Sequence, residues 1–218
     1  VVQVMPQNVP LTFEFAARAQ GSKETEVRAR VGGILLKRNY VEGAEVSEGQ
    51  VLFEIDPDTY RVALNQAKAK LAQTEAELKN AETQLARTEK LFKQGYASEK
   101  SRDDAVANAD SLRAALQSAQ AAVDAAQLNL DYTQVKAPIS GLTSMEVQSE
   151  GSLISTSGEG GLLTHITQLN PIYVMFSMSE TEMMKMAEMI EKGYLAQPQR
   201  KDQIKAKLNA GDGWQYPQ

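Results

Sequence analysis

The chain has 218 residues, 42% apolar and 23% charged, with a net charge of −5 and no cysteine. That length gives room for one or two domains with real cores. The negative balance gives no attraction to nucleic acid, and the missing cysteines exclude disulfides and thiolate metal sites.

The apolar runs are a few residues long, against the ~20 needed to cross a bilayer. With Val1 in place of an initiator Met, and no signal segment, the chain reads as a processed or trimmed piece from which any membrane anchor would have been removed or left out. The first clear pattern is "VRARVGGILLKRNYVEG", residues 27–43. Val27, Ala29 and Val31 alternate with Arg28 and Arg30, the period of a half-buried strand. Gly33 and Gly43 mark turns or bulges. The next stretch, "AEVSEGQVLFEID", sets apolar Val46, Val51, Phe53 and Ile55 between Glu-Gly bends.

The material changes after Asp56. Leu64, Leu71, Leu78, Leu85 and Phe92 recur every seven residues, and Tyr60, Ala67, Thr74, Ala81 and Thr88 fill the alternate seam positions. This 4-3 spacing predicts a coiled coil. A second arm repeats it through Ala105, Ala109, Leu112, Leu116, Ala119, Val123, Ala126 and Leu130. Asp56-Pro57-Asp58 predicts a capped start, Gly95 a stop, and Ser98 the cap of the second arm. A turn as short as "KQGYAS" permits only antiparallel neighbours. Arms of about 34–37 residues make a rod of roughly 50–55 Å.

The opening pattern then returns. "VKAPISGLTSMEVQSEG", residues 135–151, aligns without a gap to residues 27–43 at an offset of 108. Val27/Val135, Ala29/Ala137, Gly33/Gly141, Glu42/Glu150 and Gly43/Gly151 are identical, and Arg28/Lys136, Val31/Ile139 and Ile34/Leu142 are conservative. A half of about thirty residues cannot bury its own apolar face, whereas two packed together can. The copies therefore predict one two-part β-sandwich that forces the intervening helices outward as a hairpin. Gly158, Gly160 and Gly161 indicate a longer loop in the second half. Farther on, "IYVMFSM" alternates as a strand, and "SETEMMKMAEMIEKG" is a short helix with a Ser179/Glu182 capping box. "DQIKAKLNAGDGW", residues 202–214, predicts a further strand and turn.

A split lipoyl-like β-domain interrupted by an α-helical hairpin resembles the periplasmic adaptor, or membrane fusion, proteins (HlyD-like) of Gram-negative tripartite pumps. The stretches that carry the resemblance are "VGGILLKRNYVEGAEVSEGQVLFEIDPDTY", "LDYTQVKAPISGLTSMEVQSEGSLIS" and "ITQLNPIYVMFSMSE". The last is nearest to adaptors of proton-driven resistance–nodulation–division efflux pumps. The resemblance implies an elongated α+β multidomain chain. Its parts would be a lipoyl-like domain (residues 25–56 and 133–168), a coiled-coil hairpin (57–132) and a partial β-barrel with one helix (1–24 and 169–218). It also implies an inner-membrane transporter and an outer-membrane channel as partners, and self-association into a hexameric ring. The location implied is the periplasm, anchored to the inner membrane of a Gram-negative bacterium.

The family carries a docking motif, R-x3-L-x6-S, at the hairpin tip. "RTEKLFKQGYAS" supplies it at Arg87, Leu91 and Ser98, which by resemblance contact the outer-membrane channel. Arg offers several donors, Leu an apolar contact, and Ser can cap its helix while bonding outward. Each has a plainer reading: a solvated Arg, a seam-flanking Leu, a simple cap.

Other classes have less support. An adaptor for an ATP-driven exporter or a type I secretion system shares this architecture. A lipoyl or biotinyl carrier needs its lysine on the turn between the β-halves. Here helices occupy that junction, and Lys185 of "MMKMAEM" lies outside both halves. Met175, Met178, Met183, Met184, Met186 and Met189 could bind Cu(I) in a copper-efflux adaptor, but no Cys or His accompanies them, and Met183, Met186 and Ile190 share a helix face as core residues would. His165, the single histidine, has no nucleophile or carboxylate partner for a triad. "SGEGG" lacks the Lys-Ser/Thr pair of a phosphate loop. No catalytic residue, metal site or cofactor is predicted, so the chain reads as a non-enzyme.

Overall fold

The computed structural model describes residues 14–194. The chain forms two compact units, Gly21–Tyr173 and a smaller one drawn from Val1–Gln20 and Val174–Gln218. The strand and turn expected over residues 202–214, and most of the N-terminal barrel segment, lie outside the described residues. The class is α+β, as expected.

Among the described residues, eight strands make two four-stranded sheets. In chain order they are β1 (Ala17–Arg28), β2 (Gly33–Arg38), β3 (Glu45–Val46), β4 (Val51–Ile55), β5 (Gln134–Lys136), β6 (Gly141–Thr143), β7 (Leu153–Ile154) and β8 (Leu162–Phe176). One sheet runs β1-β8-β6-β3 and the other β5-β4-β2-β7. Each sheet thus holds strands from both copies of the repeated pattern, and neither half is a module by itself.

The pairing obeys the 108-residue offset. Gly33 pairs with Ile154 and Ile34 with Leu153, while Gly141 pairs with Val46 and Leu142 with Glu45. The loop bonds repeat it as well. Leu35 N donates to Ser152 O at 2.9 Å, and Thr143 N donates to Ala44 O at 3.1 Å. The core between the sheets contains Leu35, Leu52, Phe53, Leu163 and Ile166, all fully buried. Burying each such side chain contributes about 1.5–3 kcal/mol.

The duplicated glycines serve two physical purposes. Gly43 and Gly151 adopt φ of 71° and 86° with open space where a Cβ would sit, so their turns need the backbone conformation. Gly33 and Gly141 are instead hemmed in. A Cβ would lie 2.8 Å from Ile55 Cγ2 at Gly33 and 2.5 Å from the Thr167 carbonyl oxygen at Gly141.

Three local departures from the sequence reading have physical causes. Ala29 and Val31 are buried as expected but lie beyond β1, where Ala29 N bonds Gly161 O at 2.8 Å instead of extending a ladder. In β4 both Leu52 and Phe53 are fully buried, because a register shift between Val51 and Phe53 breaks the simple alternation. β8 runs unbroken through Pro171. Its pairing with β6 ends near Thr167, so the missing proline N–H costs that ladder nothing.

The helices α1 (Asp58–Lys93) and α2 (Glu99–Asp131) form the antiparallel hairpin. Between residues 61 and 93 of α1, only the predicted seam positions are buried or half-buried, and every other side chain is exposed. All eight predicted seam positions of α2 are likewise covered. Beyond its base the pair therefore packs on itself alone. Arg113 ties the two arms at their flank, 3.0 Å from Glu82, with Asp110 at 2.7 Å on its own helix.

The start of α1 follows the sequence signal. The Asp56 carboxylate accepts from Asp58 N at 3.0 Å, and Pro57 already has helical dihedrals. The base is fixed by two tyrosines. Tyr60, read from sequence as a seam residue, packs on the sandwich core and donates to Gly32 O at 2.6 Å. Tyr132 packs on the same core under the Arg30 guanidinium, 4.9 Å from its ring centre.

In the smaller unit, α3 (Glu180–Glu191) has the predicted capping box at Ser179 and Glu182, and Phe15 stacks on Phe176 at 5.5 Å. Met183 does not take the core position expected for it. It is exposed, Met186 and Ile190 are half-buried, and α3 buries none of its residues.

Candidate partner-docking site at the hairpin tip

The tip is a rigid turn assembled from backbone hydrogen bonds. Tyr96 N donates to Leu91 O and Gly95 N to Phe92 O, both at 2.9 Å, the paired bonds of a Schellman motif. Gly95 supplies the left-handed φ of 79° that this closure requires. Two residues after Tyr96, Ser98 begins α2 with extended dihedrals, and its Oγ accepts from Ser101 N at 3.1 Å. Both helix ends beside the turn are thus capped, and the loop between them has little freedom.

A side-chain brace supports the turn. The Arg102 guanidinium lies 4.8 Å from the Phe92 ring centre, a cation–π contact, while its charge meets Asp103 at 2.6 Å. The hydrogen bond and charge of Asp103 raise the Arg102 pKa further.

The structure brings Arg87, Leu91 and Ser98 to this one end of the hairpin, all exposed. Arg87 and Leu91 are one helical turn apart on α1, and their side chains share a face. Among the arginines of the hairpin, Arg61, Arg102 and Arg113 sit in ion pairs with acidic neighbours. Arg87 has none among the described residues, so its donors face solvent. Leu91 is 39% exposed and flanks the seam instead of filling it. Ser98 performs the plainer capping role, but that engages only a lone pair and leaves its hydroxyl hydrogen free to donate outward. The tip therefore presents a cation, an apolar contact and a hydroxyl donor on a stiff support. Sequence reasoning passed over Tyr96, which is 81% exposed at the apex. Its signal was an aromatic residue inside an otherwise small and polar turn.

The other candidates fall elsewhere. His165 lies half-buried on β8, with its backbone oxygen accepting from Ser144 N at 2.9 Å. Lys185 lies on α3, not on a turn joining β-halves. Among the described residues there is no group of three or more His, Asp or Glu placed to hold a metal, and no helix is long and apolar enough to cross a membrane.

An interlocked two-sheet sandwich, with a self-packed helical hairpin inserted between its halves, defines a chain whose hairpin carries its tip away from a folded base. The family model described as RND MFP, barrel-sandwich hybrid domain matches residues 23–166, and the chain belongs to that family, the membrane fusion proteins of resistance–nodulation–division systems. These are adaptors, not enzymes.

The efflux pump periplasmic linker BepD of Brucella suis biovar 1 is 46% identical over 217 residues, covering 99% of this chain and 54% of that protein. The multidrug efflux pump subunit AcrA of Escherichia coli K12 is 36% identical over 218 residues, covering 100% of this chain and 54% of that protein. The crystal structure of MacA from Actinobacillus actinomycetemcomitans matches with a TM-score of 0.66 at 25% identity, covering 78% of this chain and 57% of that one. The chain spans about half the length of the curated relatives it matches.

Proposed function

We propose that this chain is the sandwich-and-hairpin portion of a periplasmic adaptor in a tripartite multidrug efflux pump. It links a proton-driven inner-membrane transporter to an outer-membrane channel, which it meets through Arg87, Leu91 and Ser98. The adaptor works in the periplasm of a Gram-negative bacterium, held to the inner membrane. The names of its relatives, a periplasmic linker and a multidrug efflux pump subunit, support that assignment.

Mechanically the protein is a spacer and a seal. The sandwiches pack into a six-membered ring, and the hairpins line up so that their tips meet the channel together. Each tip offers a small contact, and repetition around the ring multiplies it. The observation that carries the docking role is the bare guanidinium of Arg87 at the end of a hairpin whose other arginines are all ion-paired.

The test is drug resistance in cells expressing the full-length adaptor. Arg87→Asp reverses the charge at an exposed position and abolishes resistance while the helical circular dichroism stays intact. Ser98→Arg does the same by filling the space of the hydroxyl. Normal efflux in both variants would refute the assignment. Co-purification of the full-length adaptor with its inner-membrane partner separates a proton-driven transporter from an ATP-driven exporter.

A further inference from the structure

We infer that Tyr96 is a further anchor of the docking surface, seating its ring in an apolar groove between helices at the periplasmic end of the channel. The inference rests on the docking role proposed above and adds a residue outside the Arg87, Leu91 and Ser98 set.

Three observations carry it. First, the side chain of Tyr96 is 81% exposed at the apex of the turn. The residue at this position of a Schellman motif ordinarily packs its side chain onto the residue that accepts its N–H. That acceptor is Leu91, itself 39% exposed, so an aromatic and an aliphatic group both remain available to a partner.

Second, the backbone of Tyr96 is pinned. Its N–H is bonded to Leu91 O at 2.9 Å, Gly95 before it holds φ 79°, and Ser98 caps α2 two residues later. A ring offered from a fixed backbone loses little freedom on binding. Tyrosine is among the residues that most often dominate such contacts, because it buries a large apolar face while keeping one polar end.

Third, the surround has mixed charge with a slight excess of cations, although the whole chain carries −5. Arg87, Lys90, Lys93 and Lys100 are exposed and in no ion pair among the described residues, against the exposed carboxylates Glu89 and Asp104, while Glu99 and Asp103 are engaged by Arg102. The matching surface is one whose groove is rimmed by carboxylates or by the carbonyls at helix C-termini. A helical hairpin end offers both, and the Tyr96 hydroxyl can donate to either. An apolar ring beside the unpaired cations Arg87, Lys90, Lys93 and Lys100 suits the end of a helical bundle.

The experiment uses the full-length adaptor and the outer-membrane channel with which it co-purifies, with binding measured by surface plasmon resonance. Tyr96→Ala leaves the main-chain bonds of the turn in place, and is expected to weaken binding about tenfold or more with unchanged helical circular dichroism. Tyr96→Phe is expected to lose less. Undiminished binding by Tyr96→Ala overturns the proposal, and equal losses in the two variants overturn the apolar groove.

Arg87→Asp is measured in parallel. If it loses binding while Tyr96→Ala does not, Tyr96 is excluded and tip docking stands; if neither loses binding, both readings fail. A photo-reactive phenylalanine at position 96 in living cells should form its adduct with helices at the channel end. Adducts formed only with a second adaptor copy, or only with lipid, overturn the inference.

Discussion

Glu42 and Glu150 stand 108 residues apart and perform the same task on opposite halves of the sandwich. Glu150 Oε1 accepts the backbone N–H of Arg38 at 2.7 Å, and Glu42 Oε1 accepts the backbone N–H of Glu146 at 2.9 Å. Arg38 and Glu146 are themselves equivalent under the same offset. Here the repeat has diverged into opposite charges, with Arg38 Nε 3.5 Å from Glu146 Oε2. Each half thus holds the other's backbone with a carboxylate.

Removing either carboxylate leaves a backbone donor without its partner. Glu150→Ala is expected to cost about 1–2 kcal/mol in urea unfolding. Glu42→Ala costs more, because Glu42 also pairs with Arg38 Nη1 at 2.7 Å. The double variant is non-additive, since both carboxylates work on one Arg38-centred network. Independent, additive losses would show that the reciprocal arrangement has no energetic meaning.

The two classes of duplicated glycine respond differently to substitution. Gly43→Asn and Gly151→Asn retain most stability, since Asn tolerates left-handed backbone and no neighbour lies within 4 Å of the new Cβ. Gly141→Ala meets a main-chain oxygen at 2.5 Å that cannot swing aside, and costs about 2–3 kcal/mol or more. Thermal melting of the three variants checks the ranking. Equal losses at Gly43 and Gly141 contradict it.

The capping box of α3 gives a pH prediction. Hydrogen bonds from the Ser179 backbone and then its hydroxyl lower the pKa of Glu182 below the ordinary glutamate value. A depressed carboxylate stabilises the fold above its unfolded pKa, and that contribution disappears as pH falls through the lower, folded value. The first turn of α3 therefore frays only in acid below the usual glutamate range. Carboxyl NMR follows the titration directly. Ser179→Ala should return the Glu182 midpoint toward that of a free glutamate.

The hairpin was legible because its information is local. Heptad spacing fixes which side chains face the other arm, and the caps at Asp56, Gly95 and Ser98 fix where each helix begins or stops. The sandwich was legible only as a relationship, the offset that pairs Gly33 with Gly141 and Glu42 with Glu150. Its details depend on neighbours distant in sequence. The inward turn of both Leu52 and Phe53 comes from a shifted register against β5, which alternation cannot show. Tyr60 has correct seam spacing, yet its hydroxyl is claimed by Gly32 of the sandwich. At the tip, Arg87 and Leu91 were found through a motif, whereas Tyr96 needed the three-dimensional turn to reveal how openly it stands.

The interleaving of strands from both copies has a consequence for cutting the molecule. A protease that severed the peptide at Gly95 would yield two fragments of similar size, and each would contribute strands to both sheets. Neither could depart without unzipping the base. The nicked protein would migrate as one particle until denaturant was added, so covalent continuity through the tip serves presentation and is not what keeps the base whole.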